Sequence, residues 1–380
     1  MIEFFLNSNP FNNILAYDIL NTKQIFTLMY LKTYHTIKEI PSSASSLFKQ
    51  YEELSLFLGK HWFELFEQYF LSAQKSRFIV VFDDSHQAIL LILLQQIHSK
   101  ELTTVSNFYT ACFSPFIRKN LSENNIKQAY ALLISDYLLA NPIYSLEIKP
   151  VLLHSNENDL FIQTLKQHHF IIDCYDFFGN WSYELKGLNY QEYYKQRPSR
   201  LKNTIKRKTN KLSKTNSCNI QIYSHIEEIQ AHIKEYEQIY QLSWKTEEAS
   251  AEFIRQFMLD YAATGHSRLA IAYINGHAAA SQFWLVHNQS ALIYKLAYDP
   301  QYKDLSIGSI LTAHIMEYVI DIDGVKKLDY LTGDDVYKQD WMNKRQQFSA
   351  FIAYNTKTIP GLFQGVKFLI KKTIKRILKL

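Results

Sequence analysis

The stretch Leu292-Ile293-Tyr294-Lys295-Leu296-Ala297-Tyr298, the polar segment 299–305, Ser306-Ile307-Gly308-Ser309 and the apolar run that follows to about Ile320 decide how this chain reads. The first segment predicts a strand, and the run after Ser306 predicts a helix. A second strand is predicted over Lys327 to Leu331, leading into Thr332-Gly333-Asp334-Asp335-Val336-Tyr337-Lys338. A strand that feeds a small-residue turn opening a helix leaves several backbone N–H groups unpaired and aimed outward. Together with the helix dipole they suit a phosphate, which makes this turn a candidate acyl-carrier site.

Outward from this stretch the same order of elements recurs. Arg77 to Phe82, the turn Asp83-Asp84-Ser85 and Ala88 to Leu94 predict a hairpin. Helices are predicted around 52–71 and over 123–139, the latter opened by Ser122, and strands at 145–148 and 170–178. In the second half, Leu269 to Tyr273 and Ala278 to Val286 flank Asn275-Gly276, the strongest short-range hairpin signal in the chain. Two copies of one mixed α/β unit are therefore expected, meeting within 179–188. With only 10 Gly and 8 Pro and no Pro/Gly/Ser-rich linker, the halves should pack closely around a shared cleft.

Composition narrows the function. The chain has 380 residues, 47% hydrophobic and 20% charged, so it can bury a sizeable core. Its net charge of +5 admits an anionic substrate without demanding nucleic acid. Cys112, Cys174 and Cys218 are far apart and form no Cys-x-x-Cys pair, which favours a reduced, cytoplasmic compartment. No basic n-region precedes an apolar h-region at Met1, and the apolar run Ala88 to Leu94 is far short of the roughly 18 residues of a spanning helix. The 13 His fall into no ligand spacing, so no metal is expected, and hydrolase elbows and P-loops are absent.

Three groups of residues are candidates for chemistry. From Arg200 to Lys214 a basic helix is predicted, with Arg200, Thr204, Arg207 and Lys211 on one face and Leu201, Ile205 and Leu212 as a docking stripe. It reads either as a grip for a phosphate or carboxylate or as a solvated face, and an RNA backbone would suit it as well. After the second strand stand Asp334, Tyr337 and Lys338: a carboxylate to deprotonate an attacking amine, with Asp335 as substitute, and a phenol or ammonium to serve an oxyanion or leaving group. Trp244 and Lys245 follow a helix predicted over 229–242 and are candidates for a substrate pocket, the alternative being core packing. At the C-terminus, Leu362, Val366, Leu369, Ile370, Ile374, Ile377 and Leu380 fall on one helical face and Lys371, Lys372, Lys375 and Lys379 on the other, with Lys367 and Phe368 out of pattern. An interfacial helix over 362–380, touching the inner face of a membrane, is one expectation; a helix capping the domain is the other.

The order of these elements, with Leu102 to Tyr109, Ser114-Pro115, Arg197-Pro198-Ser199-Arg200-Leu201-Lys202-Asn203-Thr204-Ile205, Ser243-Trp244-Lys245 and Gly333 to Lys338, resembles the GNAT superfamily of N-acetyltransferases. It is most similar to the two-domain, CelD-like group related to Fem-type peptidyltransferases, over roughly 78–356. The superfamily's turn pattern is Gln/Arg-x-x-Gly-x-Gly/Ala; Lys303, Ser306 and Gly308 occupy its positions, and the first two depart from it. The resemblance implies an α/β, mixed-sheet fold: a GNAT-like domain over 1–184, a GNAT acyltransferase domain over 185–358 and a basic amphipathic tail over 359–380. It implies acetyl- or acyl-CoA as co-substrate at Lys303, Ser306, Ile307, Gly308 and Ser309, with Asp334, Tyr337 and Lys338 catalytic. Arg200, Thr204, Arg207, Trp244 and Lys245 would hold an anionic or nucleotide-linked acceptor, an amine of a small molecule or envelope polysaccharide precursor. DNA is not an expected partner. The alternatives are a Fem-type enzyme taking its acyl group from aminoacyl-tRNA and a catalytically silent accessory protein of envelope polysaccharide synthesis.

Overall fold

The structure, a computed structural model, describes residues 28–378 apart from 216, 244, 246 and 247; Trp244 and the first 27 residues lie outside the described residues. The first half comprises β1 (Met29–Tyr34), α1 (Ser45–Glu52), α2 (Lys60–Phe70), β2 (Ser76–Asp83), β3 (Ala88–His98), β4 (Glu101–Thr104), β5 (Phe116–Ile117), α3 (Glu123–Leu132), β6 (Ser145–Val151), α4 (Asn156–Gln167) and β7 (Phe170–Glu184). The second comprises α5 (Tyr190–Lys195), α6 (Ser199–Thr215), β8 (Cys218–Tyr223), α7 (Ile226–Leu242), α8 (Ala251–Ala263), β9 (Ser267–Ile274), β10 (His277–His287), β11 (Ser290–Tyr298), α9 (Ile307–Asp321), β12 (Lys327–Asp329), α10 (Lys338–Trp341), β13 (Lys344–Asn355) and α11 (Ile359–Ile377).

Local chemistry explains most boundaries. Asn275 and Gly276 both take positive φ, 51° and 79°, as the tight β9–β10 turn requires. Ser122 accepts from Asn125 N–H at 3.2 Å and starts α3, whose continuation Leu133–Leu139 winds as a π-helix. The helix expected around 52–71 begins only at Lys60: α1 has ended at Glu52, and the Ser55 hydroxyl accepts from Phe57 N–H at 3.3 Å, setting a short 3₁₀ turn before α2.

The strands of the described residues join one mixed sheet in the order β1-β2-β3-β4-β6-β13-β7-β12-β11-β10-β9-β8, with β5 alongside β3. Its centre is an exchange. The end of β7 pairs with β12 of the second half (Tyr183↔Leu328), whereas β13, from the end of the chain, pairs with β6 of the first (Ile352↔Glu147). β7 and β13 also pair with each other from Lys344↔Ser182 to Asn355↔Phe170. The sheet therefore passes without a break through the expected boundary. Aromatic packing joins the halves as well: Trp62 of α2 meets Phe253 and Phe257 of α8 edge-on at 5.7 and 5.3 Å.

Beyond the exchange β11 and β12 pair over three positions only, Ser290↔Lys327 to Leu292↔Asp329. The strand expected to reach Leu331 stops at Asp329 because Leu331 turns left-handed, with φ 53°. Asp329 accepts from Leu331 N–H at 2.8 Å, and Asn180 donates to Leu331 O at 2.8 Å, so buried side chains hold this strained residue in place. From there β11 continues alone on that edge, and a cleft opens between the diverging backbones.

Candidate active site

The cleft is a cavity of about 720 Å³ floored by Ile293 to Leu296 of β11 on one side and Tyr330 to Gly333 on the other. Phe108 and Tyr109 of the first half close it, so both halves contribute walls.

Three lysines converge here. Lys295 is 5% exposed and pairs with Glu248 at 2.9 Å, while Phe108, Tyr109, Tyr240 and Tyr294 surround its ammonium at 4.8–5.7 Å from their ring centres. Burial lowers its pKa, and Glu248 counters that shift. Tyr109 donates to the second oxygen of Glu248 at 2.7 Å and accepts from Ser250 N–H at 2.9 Å, fixing the carboxylate. Lys245 lines the same cavity. Burial, and then repulsion from Lys295, bring it down to about 8. Lys338 is 4% exposed; it donates to Thr332 O at 2.6 Å and Gly333 O at 3.0 Å and pairs with Asp335 at 3.4 Å. Its pKa is lowered by burial, and its bonds to two loop carbonyls make it the organiser of the segment that ends the cleft. Tyr337 lines the cavity too; although 44% of its surface is exposed, desolvation and the Asp335 charge raise its pKa and keep the phenol protonated.

Asp334 does not join them. Its carboxylate receives Arg345 Nε at 2.9 Å and Trp181 Nε1 at 2.7 Å, and the Arg345 guanidinium holds its pKa down. Turned toward β7 and β13, it ties the loop to the two central strands through Trp181 and Arg345, an arrangement that disfavours the base role expected of it.

The expected carrier turn lies directly beyond β11. A 3₁₀ segment, Pro300–Leu305, carries exposed Lys303 and ends at Ser306 in the left-handed conformation with φ 52°, from which α9 starts. Ile307 is fully buried, backbone included, whereas Gly308 and Ser309 are half-buried. Ser309 N–H is turned back to Ser306 O at 3.0 Å, whereas the N–H groups of Ile307 and Gly308 have no helical carbonyl to reach. A side chain at Gly308 would meet Tyr298 at 3.4 Å, which leaves the turn open to a close ligand.

The basic helix α6 is not in the cleft. Leu201, Ile205 and Leu212 are buried as the predicted stripe; Arg200 pairs with Asp340 at 2.8 Å, Arg207 is exposed and Thr204 half-buried. Lys208 reaches the carbonyl of Asp304, so the helix flanks the carrier turn. Buried Arg197, just before it, stacks between Tyr183 and Tyr193 at 4.4 and 4.5 Å and donates to Trp341 O at 2.6 Å, a structural role. Lys245 is thus separated from Arg200, Thr204 and Arg207, with which it was grouped. Sequence reasoning assigned no role to Glu248, Lys295, Tyr109 or Tyr240; a lysine in the middle of the apolar strand at 292–298 was the available signal. Among the described residues no group of His, Cys, Asp and Glu is arranged to hold a metal.

Residues 199–339 match the acetyltransferase (GNAT) domain family. The fold is similar to the C-terminal domain of a putative lysylphosphatidylglycerol synthetase from Agrobacterium fabrum, with TM-score 0.51 and 9% identity over 88% of this chain and 98% of that one. It is similar to a tandem GNAT protein from the clavulanic acid biosynthesis pathway, with TM-score 0.51 and 10% identity over 85% and 98% of the two chains. FemX aligns with TM-score 0.51 and 10% identity over 76% and 89%. Comparison with curated proteins finds no match. The cleft and the turn at Ser306 lie in or beside the segment 199–339 that matches the acetyltransferase (GNAT) domain family, and the fold of the chain is similar to those of the tandem GNAT protein and FemX.

Proposed function

We propose that the enzyme transfers an acyl group from an acyl-CoA to an amine of an anionic or nucleotide-linked acceptor, in the cleft between β11 and β12. The observation that carries this reading is the parting of the two strands after Leu292↔Asp329, which opens a cavity along the same strand that leads to the turn at Ser306. The Gly308 N–H and the α9 dipole suit the carrier's pyrophosphate. The unpaired edge of β11 beyond Leu292 suits the amide groups of its extended arm, as a strand edge suits a peptide.

At the cleft end the acceptor amine attacks the thioester carbonyl, forming the C–N bond as the C–S bond breaks. Lys245, held near 8, has a neutral fraction able to take the amine's proton. Tyr337, held protonated, is placed to serve the developing oxyanion or the leaving thiolate. Glu248 and the aromatic cage keep the Lys295 cation fixed in the wall, where it favours an anionic acceptor.

An aminoacyl-tRNA donor is the second reading, supported by exposed Lys206, Arg207 and Lys214 on the helix beside the carrier turn. A thermal-shift series with acetyl-CoA, longer acyl-CoAs, free CoA and aminoacyl-tRNA separates the two. A donor at ~100 times its Kd adds about 2.7 kcal/mol. Stabilisation by acyl-CoA alone is the expected result, and stabilisation by aminoacyl-tRNA alone overturns it.

A further inference from the structure

We infer that α11 is a docking surface for an anionic phospholipid bilayer. Only Gly361 and Gly365 of this helix are buried. A Cβ at Gly361 would lie 2.3 Å from Asn355 O, and one at Gly365 would lie 2.8 Å from Ile171 Cδ1, so the two glycines press the first turns onto the ends of β13 and β7. Everything beyond Gly365 stands clear of that contact except Phe368, which is half-buried. The 13 residues from Val366 to Leu378 span about 20 Å at the helical rise.

That outer segment presents an apolar arc and a basic arc. At 100° per residue Leu362, Val366, Leu369, Ile370 and Ile377 fall together. The last four of these are 41, 45, 55 and 73% exposed, far more than a helix seated on a protein core allows. Lys371, Lys372 and Lys375 lie across the helix from that arc, Lys367 and Arg376 lie nearer its two margins, and no acidic residue occurs in Ile359–Ile377. The carboxylate facing them from the body is Asp173 of β7, which acts on Lys371 and Lys372. An exposed apolar arc rimmed by cations alone complements a surface that is apolar within and anionic outside, which is a bilayer with acidic headgroups. No described helix is long and apolar enough to cross a membrane, so α11 lies in the interface plane.

The test is co-sedimentation of the full chain with vesicles of phosphatidylglycerol and phosphatidylcholine, or of phosphatidylcholine alone. Binding only to the former, weakening as salt is raised, is expected. An Ile370→Gln, Ile374→Gln variant, and separately a Lys371→Gln, Lys372→Gln, Lys375→Gln variant, should each bind on the order of tenfold more weakly or worse while melting at the parent temperature. Equal binding to both vesicle types, or unchanged binding by the variants, overturns the inference. A lowered melting temperature for Ile370→Gln, Ile374→Gln assigns the helix to the core, and its conversion of a solution dimer to monomer assigns the face to a second copy; either result also overturns it.

Discussion

Glu248 Oε2 lies 2.9 Å from Lys295 Nζ, with side-chain exposures of 10% and 6%, and Tyr109 donates to the same carboxylate. Removing one partner of such a pair leaves a buried charge uncompensated. Glu248→Gln should therefore cost about 3–5 kcal/mol in urea denaturation. Adding Lys295→Met should return most of that loss without restoring acyl transfer. A double variant no more stable than Glu248→Gln would show that the pair is not the unit.

Lys245 gives the pH dependence. If its neutral form accepts the amine proton, turnover under saturating donor rises with pH through about 8 and then levels. Lys245→Met should lower turnover and erase that limb of the profile. Stability also rises with pH: the folded pKa lies below the unfolded one, so between them the unfolded state binds more protons, and the cost of burying the ammonium, full below about 8, is relieved as pH climbs toward the unfolded value. Lys245→Met should accordingly melt higher than the parent at neutral pH. A lower melting temperature would refute the burial argument.

Asp334 and Lys338, four positions apart, should behave differently. Asp334→Asn loses the charge on Arg345 but can still accept from Trp181, so turnover should stay within about threefold of the parent. Lys338→Met frees Thr332 O and Gly333 O at the cleft and should cut turnover by roughly 10²-fold with donor affinity retained. Equal losses in the two variants would return Asp334 to the chemistry.

Gly308 tests the donor. A Cβ there meets only Tyr298, at 3.4 Å, so Gly308→Ala should fold normally. Gly308→Val, with its branched side chain beside the free N–H groups, should weaken CoA binding by calorimetry at least about tenfold with far-ultraviolet dichroism unchanged. Unaltered affinity would remove this turn from the carrier site.

The sequence carried more of the frame than of the site. The β9–β10 hairpin was readable because Asn275-Gly276 satisfies a turn that needs two positive φ values, and β3 because Ala88 to Leu94 is apolar on both faces. The strand Lys344–Asn355 was not read, since it opens with Lys344-Arg345-Gln346-Gln347, yet it sits between β6 and β7. That omission misplaced Asp334: proximity to Gly333 suggested a catalytic carboxylate, but its direction is set by Arg345 on the unread strand. Lys245 and Lys338 were named from their position after a helix and a strand. Glu248 and Lys295 were not, because their pairing bridges a loop and a strand 47 residues apart, which no local period reports.

The strand that fills the first half's sheet, Lys344–Asn355, is synthesised only after β6, β7 and the whole intervening second-half sheet. Until it emerges, β6 and β7 each lack the partner between them and expose apolar strand edges, a state prone to unwanted pairing. Fragments cut near 184 should therefore aggregate instead of yielding two independent modules.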